Sequence, residues 1–277
     1  MRQPGGTAVC DHRAMRTHLR DATYAVVDVE TTGFDRARDR VVEVACVLVR
    51  RGTRVRAFSS LVDPGRPIPA RATEVHGIAD ADVAGAPSMA EVAPLLRRLC
   101  SGAIVVAHNA GFDRGFLPML DGRPNLCTLR LARHLLPELR SHANQALRAA
   151  LDVQLPADLG EAHRASSDAH VTAAVLEILL RRYLALGHPA DCDALLAFAE
   201  SKITFPRFPF GRHRNVPLPQ VPADYLEWML RADDPPFDDD IRATVTSELS
   251  RRRGGGHPAR KASRFLGGLE HGQLTAP

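Results

Sequence analysis

The sequence has few cysteines and few aromatic residues, and it lacks any long apolar run. Its 277 residues include five cysteines, none of them in a Cys-x-x-Cys pair. That usage argues against a disulfide framework or a zinc site and is typical of a reducing cytosol, so we expect a cytoplasmic protein with buried thiols. No segment approaches the roughly 18 apolar residues of a membrane span, and residues 1–20 lack the apolar core of a secretory signal. We therefore expect no membrane association.

Positive charge is concentrated at one end of the chain. The net charge is +4, and residues 251–277 contain six Lys or Arg against one acid, Glu270. The preceding residues are close to neutral, so the basic pI alone is a poor argument for nucleic-acid binding. We expect residues 251–277 to be a basic disordered tail and residues 1–20 to be a flexible N-terminus.

The apolar pattern predicts a mixed β-sheet covered by helices, an α/β fold. Four runs have the composition and length of strands: residues 24–30, 41–49, 54–62 and 103–107. Apolar positions at helical spacing predict helices near residues 88–99, 110–120, 128–136, 143–150 and 167–186. Ser88 and Glu91 indicate a capping box at the first of these helices, although Pro94 conflicts with its interior.

A change in composition after residue 187 predicts a second, smaller unit. Six of the fourteen aromatic residues fall within residues 205–237, which indicates a small separate core. We therefore predict a main α/β domain over residues 21–187 and a small α-rich module over residues 188–250.

Two acids stand together at the end of the first predicted strand. Asp28 and Glu30 are two positions apart, so both side chains point to one face of the strand. A single buried carboxylate is explained by a structural hydrogen bond. Two on one face of a buried run favour a shared cation.

Two further acids lie on the apolar faces of predicted helices. Asp113 shares the apolar stripe of its helix with Phe116, and Asp168 shares that of its helix with Val171. The alternative for Asp113 is a helix N-terminal acid stabilised by the helix dipole. His163 precedes the last acid by five residues, a position that suits a mobile general base, with a structural histidine as the alternative. Three segments thus direct acids into the core, which favours a divalent-metal site.

These segments resemble the three exonuclease motifs of the DEDD superfamily, also called DnaQ-like. The matching positions, in the order of the motifs, are Asp28 with Glu30, then Asp113, then His163 with Asp168. The histidine marks the DEDDh subclass. The resemblance covers about residues 22–184 and implies a ribonuclease-H-like mixed β-sheet flanked by helices. Asn144 stands where relatives usually carry leucine, and we expect it to loosen helix packing.

The resemblance also implies a chemistry, that of a metal-dependent 3′→5′ exonuclease. Two divalent cations, Mg²⁺ or Mn²⁺, would be held by the four carboxylates, because hard ions prefer oxygen ligands. His163 would take a proton from the attacking water, and the product would be a 5′-mononucleotide. Substrate binding is expected at five positions: Thr31, Thr32, Gly33, His76 and Asn109. For the residues that follow the first strand, simple turn chemistry is the alternative.

Residues 205–248 are similar to a small module that follows the nuclease domain in exodeoxyribonuclease X-like proteins and in some helicases. Its interleaved basic and aromatic residues predict one of two roles. They bind single-stranded nucleic acid, or the aromatic residues form the core of the module and the arginines are solvated.

The expected substrate is a single-stranded or frayed 3′ end of DNA, with RNA left open because the motifs do not read the sugar. The expected role is DNA repair or degradation. The alternatives are a proofreading subunit beside a replicative polymerase, an RNA-trimming exonuclease and, from another class, a nucleic-acid-binding module with a decayed site. Polymerase or repair partners remain unknown, because the Gln273-Leu274 end is too weak a match to a clamp-binding segment.

Overall fold

The computed structural model of the protein describes residues 17–155, 163–231 and 239–254. These residues belong to two units that divide between Pro206 and Arg207. Within the described ranges, no helix has the length and apolar character needed to span a membrane.

A five-stranded mixed sheet forms the centre of the first unit. Its strands are β1 (Thr23–Thr31), β2 (Val41–Arg50), β3 (Thr53–Leu61), β4 (Ile104–Ala107) and β5 (Asn125–Cys127). They lie in the order β3-β2-β1-β4-β5. β1 to β3 pair antiparallel, whereas β4 is parallel to both β1 and β5. The predicted mixed sheet is confirmed; β5 was not predicted, because three residues are too few to show a period.

Eight α-helices are described in the first unit. They are α1 (Ala70–His76), α2 (Asp80–Val83), α3 (Met89–Leu99), α4 (Ala110–Phe116), α5 (Thr128–Leu135), α6 (Asn144–Ala150), α7 (Ala165–Ala185) and α8 (Cys192–Glu200). The predicted helix over 110–120 is divided into α4 and a 3-10 turn at Pro118–Leu120. The other predicted helices are found within two residues of their expected ends, which is the usual uncertainty of helix boundaries.

Helices cover both faces of the sheet, and the alternation along β1 decides which face receives which side chain. Val27 on β1 packs in one core with α3 and α4. Val26 packs in the other core with α5 to α8. Because side chains alternate along a strand, Asp28 and Glu30 continue the face of Val26, toward α7.

The segment around α8 belongs to the first unit, not to the C-terminal module. Leu195 and Ala199 pack in the same core as the sheet, and Arg130 of α5 donates hydrogen bonds to the carbonyls of Ala199 and Ser201. The His188 ring stacks on Tyr183 at 4.6 Å, which fixes the turn after α7. The change of character at residue 187 is therefore a turn inside the first unit, and the structural division comes later, after residue 206.

The two ends predicted to be loose are ordered where they are described. Leu19 is buried, and His18 forms a β-bridge with Asp191. Arg251, Arg252 and Arg253 end a helix rather than beginning a tail. The remainder of the predicted flexible N-terminus and basic tail, residues 1–16 and 255–277, lies outside the described residues.

The second unit is α-rich, as predicted. It contains α9 (Ala223–Arg231), α10 (Asp239–Arg253) and two 3-10 turns at Gly211–His213 and Leu218–Gln220. Its buried apolar side chains are Phe208, Leu218, Val221, Leu226, Met229, Ile241, Val245 and Leu249. Of the aromatic residues concentrated in this part of the sequence, Phe208 is thus fully buried in this small core.

Two expectations about single residue types are settled by the described residues. The four cysteines among them are buried and free, as expected of structural thiols. Pro94 lies inside α3 without ending it. The Ser88 main chain and hydroxyl both donate to Glu91, at 2.7 and 2.8 Å, so the predicted capping contact secures the first turn ahead of the proline.

Candidate active site

Three carboxylates converge where β1 ends against the start of α7. One oxygen from each of Asp28, Glu30 and Asp168 lies within 4.8 Å of the others. The strand period brings the first two to one face, and the first turn of α7 brings the third to the same place. These are hard oxygen donors at a spacing that one divalent ion can bridge, so the site fits such a metal.

The fourth predicted acid, Asp113, borders this group from the other face of the sheet. It lies in the first turn of α4 and is 2% exposed. The main-chain amides of Asp113 and Val29 stabilise its carboxylate. After burial, its charge is the largest influence that raises the pKa of Asp28. Asp113 thus adds a fourth carboxyl group to the surroundings of the site without joining the compact group of three.

Burial and mutual repulsion raise the carboxyl pKa values across the site. The pKa of Asp28 is well above its ordinary value because of burial and then the charges of Asp113, Asp168 and Glu30. Burial first, and Asp168 next, raise the pKa of Glu30 to about 8. Burial raises the pKa of Asp113 to about 7. Without a cation, these groups hold protons at a pH where exposed carboxylates have lost theirs.

His163 lies beside Asp168, as the sequence predicts. Its main-chain N–H donates to Asp168 Oδ2 at 3.1 Å, and its charge lowers the pKa of Asp168 against the raising effect of burial. The side chain is exposed. Its φ of 61° is in the left-handed region, which costs free energy for any residue other than glycine. The exposed imidazole is therefore held next to the acid cluster by its own backbone.

Asp168 is further fixed by α6. Gln145 Nε2 donates to Asp168 Oδ1. Asn144 Nδ2 donates to the Asp168 carbonyl at 3.2 Å, and Asn144 Oδ1 accepts from Thr172 Oγ1 at 3.3 Å. The expectation that Asn144 loosens helix packing is therefore not met, because its amide replaces apolar contact by two hydrogen bonds between α6 and α7.

An ion pair between a half-exposed arginine and a buried acid anchors the start of α7, and sequence reasoning missed it. Arg164 donates from Nε and Nη2 to the two carboxylate oxygens of Glu43, at 3.0 and 3.1 Å. The Ala165 main chain adds a third hydrogen bond at 3.0 Å. Glu43 is 4% exposed and lies opposite Glu30 on β2. The sequence feature that could have revealed this ion pair is the single acid, Glu43, within the otherwise apolar run of β2.

The hydroxyls of Thr31 and Thr32 are used within the loop that follows β1. Thr31 Oγ1 donates to the Gly33 carbonyl at 2.6 Å, and Thr32 Oγ1 donates to Asp39 Oδ1 at 3.0 Å. A Cβ atom at Gly33 would lie 2.4 Å from Asp39 Oδ2, so any larger residue would displace the carboxylate that accepts from Thr32 and from the Asp35 amide. The structure thus shows the turn chemistry that the sequence left as the alternative for these residues.

The other two predicted substrate-binding residues differ in environment. His76 is 4% exposed; its Nδ1 accepts from the Ile78 amide at 3.1 Å, and its Nε2 has no hydrogen-bond partner among the described residues. Burial lowers the His76 pKa. The Thr31 main chain also acts on the ring, opposing the effect of burial on its pKa. Asn109 is exposed, has a φ of 67° and directly precedes α4. A buried imidazole with one nitrogen outside hydrogen-bond geometry among the described residues is the stronger candidate for holding a ligand.

An exposed aromatic side chain next to the cluster was also missed. Phe34 follows the loop of Thr31–Gly33 and is 86% exposed. Its ring lies 6.1 Å from that of Phe112, which in turn lies 5.1 Å from Phe116. Phe34, Phe112 and Phe116 thus form a row of aromatic rings that runs from the exposed loop after β1 to α4. The exposure of a single phenylalanine after a Thr-Thr-Gly turn could not be predicted, because one residue forms no sequence pattern.

Carboxylates on the central strand of a mixed sheet, with a histidine beside them, are an arrangement expected of a metal-dependent nuclease. The family model described as exonuclease, RNase T type, matches residues 25–176. The chain belongs to this exonuclease family.

Relatives of known description support the same assignment. A segment of 172 residues is 36% identical to the PolC-type DNA polymerase III of Streptococcus thermophilus and covers 59% of this chain and 11% of that protein. A segment of 180 residues is 40% identical to a DNA polymerase III subunit epsilon-like protein of Rhodobacter capsulatus and covers 61% of this chain and 25% of that protein. The chain thus matches a quarter or less of the length of these relatives.

Solved structures show the fold independently. Exonuclease X in complex with 5′-overhanging duplex DNA is 32% identical, with a TM-score of 0.54 over 64% of this chain and 99% of that chain. Exonuclease I of E. coli in complex with a dT13 oligonucleotide has a TM-score of 0.55 at 16% identity, over 79% of this chain and 62% of that one. The predicted ribonuclease-H-like fold is confirmed.

Proposed function

We propose that the protein is a divalent-metal-dependent 3′→5′ exonuclease that shortens DNA from its 3′ end and releases 5′-mononucleotides, in cytoplasmic DNA repair or degradation. The observation that carries the proposal is the convergence of Asp28, Glu30 and Asp168 within 4.8 Å, with His163 beside them. Membership of the exonuclease family supports it.

The proposed metal ligands are the three converging carboxylates, with Asp113 completing the negative site. Mg²⁺ and Mn²⁺ suit oxygen ligands, and bound there they would stabilise negative charge at the scissile phosphate. The carboxylates themselves must lose their protons for this role, which the raised pKa values oppose in the metal-free protein.

The remaining residues have roles in handling protons and the substrate. His163 is exposed next to Asp168, so its imidazole can take a proton from the attacking water as general base. The unsatisfied Nε2 of His76 is suited to a hydrogen bond with the terminal nucleotide. The exposed ring of Phe34 is suited to stacking on its base. The main chain of Thr31–Gly33 would border the same nucleotide.

The test is degradation of end-labelled strands by the purified chain, with Mg²⁺ or Mn²⁺ and an EDTA control. Single- and double-stranded DNA and RNA are compared in parallel. On a 5′-labelled strand we expect a ladder that shortens from the 3′ end, and on a 3′-labelled strand immediate release of a labelled mononucleotide. Internal fragments, release from the 5′ end, or cleavage that persists in EDTA would contradict the proposal. Faster degradation of RNA than of DNA would instead support the alternative of an RNA-trimming exonuclease.

Removing the Phe34 ring is expected to weaken substrate binding rather than the chemical step. Phe34→Ala should raise KM for single-stranded DNA about tenfold, as expected for loss of one base-stacking contact, with little change in kcat. Steady-state kinetics on one oligonucleotide measures both constants. Phe34→Tyr should retain the wild-type KM, and Val55→Ala removes an equally apolar but unrelated exposed side chain on β3. A tenfold loss of kcat at constant KM would instead give Phe34 a role in the site geometry.

The raised carboxyl pKa values predict a linkage between pH, metal and stability. Unfolded Asp and Glu lose their protons near pH 4, whereas folded Asp113 and Glu30 keep theirs to about 7 and about 8. Between these limits the folded state binds more protons, so metal-free stability should fall as pH rises from about 5 to about 8. A divalent cation replaces those protons and should therefore raise Tm more at pH 8 than at pH 5. A metal-induced Tm shift that is equal at both pH values would contradict this linkage.

A second candidate function is proofreading beside a replicative polymerase. The specific observation in its favour is the identity with the PolC-type and epsilon-like relatives, 36% and 40% over the matched segments. Excision from primer–templates with paired and mispaired 3′ ends, with and without a replicative polymerase, distinguishes the two functions. A rate that is stimulated by the polymerase and selective for the mispair would support proofreading. Equal rates without stimulation would favour the stand-alone enzyme.

A further inference from the structure

The second unit carries a basic segment with no acids. Residues 207–223 contain Arg207, Arg212 and Arg214 and no Asp or Glu, and all three arginines are exposed. The first acid that follows, Asp224, accepts a hydrogen bond from the neighbouring Tyr225 amide and so serves the start of α9. This stretch of the surface is therefore positive without local compensation.

The arginines of this segment are used differently from those at the end of the chain. Arg251 and Arg252 pair with the buried Glu248, and Arg252 also donates to the carbonyls of Leu218 and Val221. These two side chains hold the fold of the unit together. Within the described ranges, by contrast, Arg207, Arg212 and Arg214 form no ion pair with a carboxylate, and Arg207 donates only to a main-chain carbonyl.

Two aromatic rings adjoin this segment. The Arg212 guanidinium lies over the Tyr225 ring, 4.6 Å from its centroid. Tyr225 in turn lies 5.5 Å from Trp228, with 30° between the ring planes. Trp228 is 49% exposed, whereas Phe208 of the same cluster is 1% exposed. The core thus needs Phe208, but it leaves about half of the Trp228 surface in water.

We propose that Arg207, Arg212, Arg214, Tyr225 and Trp228 form a binding surface for single-stranded nucleic acid, which gives the second unit a role in holding the substrate strand. Exposed guanidinium groups bind phosphates, and neighbouring rings stack on unpaired bases, which is the combination that proteins use on single strands. A duplex hides its base faces, and an acidic peptide offers no bases to stack on the rings. The proposal adds to the proposed exonuclease function a second contact with the same strand.

The first test measures binding by the full chain in EDTA, so that no cleavage occurs. Fluorescence anisotropy with a labelled single strand of about 30 nucleotides is recorded across salt concentrations. The double variant Arg212→Ala/Arg214→Ala should bind at least about tenfold more weakly, and the slope of log affinity against log salt should fall by roughly 1.4, from about 0.7 per lost phosphate contact. Trp228→Ala should weaken binding about tenfold with the salt slope unchanged, and Trp228→Phe should recover most of that loss.

The control removes the same charge elsewhere. Arg97 and Arg98 are exposed at the end of α3 in the first unit, and Arg97→Ala/Arg98→Ala should leave affinity and salt slope within twofold of wild type. Unchanged affinity in the Arg212/Arg214 and Trp228 variants would overturn the proposal. Equal competition by duplex DNA or by polyglutamate would also overturn it, because the surface would then bind polyanions without regard to bases.

The second test separates this surface from the catalytic site. With metal present, all variants should hydrolyse a trinucleotide at the wild-type kcat/KM, while KM for the long strand rises about tenfold in the Arg212/Arg214 and Trp228 variants. An equal loss on the trinucleotide would place these residues in the catalytic site and overturn the separate surface. A wild-type chain that hydrolyses neither substrate would refute the proposed exonuclease function, and the EDTA binding measurements would still decide the binding surface.

Discussion

Replacing Asp28 with asparagine will abolish metal-dependent hydrolysis and leave the fold intact. Asparagine keeps the shape of the side chain but cannot supply the negative charge that a divalent cation needs. The loss of several kcal/mol of charge stabilisation corresponds to a decrease in kcat of at least about 10³-fold. Single-turnover hydrolysis of a labelled oligonucleotide at saturating Mg²⁺ or Mn²⁺ measures this loss.

The same variant is expected to be more stable than wild type when no metal is present. Burial and the charges of Asp113, Asp168 and Glu30 all oppose ionisation of Asp28, and the neutral amide removes these costs. Thermal unfolding in EDTA should show a higher Tm, and the Tm increase caused by metal should be lost. Asp21→Asn, which neutralises an exposed carboxylate near Arg51, is the matched control for charge. Retained turnover, or a lower Tm in EDTA, would remove Asp28 from the proposed metal site.

Replacing His163 will reduce the rate by about 10²–10⁴-fold, as expected for loss of a general base, while metal binding survives. The hydrogen bond from residue 163 to Asp168 comes from the main chain, so alanine and glycine both keep it. Added imidazole should restore part of the rate in either variant. Metal binding is measured from the metal-induced Tm increase. Loss of that increase would identify His163 as a ligand or a structural residue.

The two substitutions at His163 should differ in stability although they agree in rate. The φ of 61° is strained for alanine as well as for histidine but is relaxed for glycine. His163→Gly should therefore be about 1 kcal/mol more stable than His163→Ala in denaturant unfolding. Equal rates with different stabilities would show that the rate loss comes from the missing imidazole. A His163→Gly variant that is less stable than His163→Ala would show that this backbone conformation is not the one in solution.

The parts of the site that follow from local periodicity could be predicted from the sequence. The two-residue period of a strand places Asp28 and Glu30 on one face, and the helical period turns Asp168 inward beside Val171. Both relations depend only on positions close together in the chain, and the fold class depends on the same two periods. The convergence of three segments was inferred from their shared burial. The distances in the structure bring together Asp28, Glu30 and Asp168 from two of those segments, whereas Asp113 lies outside this compact group.

The parts that depend on distant residues could not be predicted. The Thr32 hydroxyl could bind a substrate or stabilise its own loop, and the outcome depends on the hydrogen bond to Asp39, seven residues later in the chain. The role of Asn144 depends on a carbonyl and a hydroxyl of α7. The division after residue 206 depends on the packing of α8 in the same core as the sheet. The sequence did not predict this packing, because the Gly-His-Pro turn before α8 resembles a domain linker. No local pattern contains these partners.

The Glu43–Arg164 ion pair has a consequence for the order in which the protein folds. It joins residues 121 positions apart, so the chain must close a very long loop before the pair can form. We expect contacts of such high sequence separation to form late, because closing the long loop costs entropy before the contact can contribute stability. A nascent chain that ends before His163 contains Asp28 and Glu30 but lacks both His163 and Asp168. In the proposed mechanism such a chain would lack a metal ligand and the general base, so we expect no hydrolysis by chains whose synthesis has not passed α7.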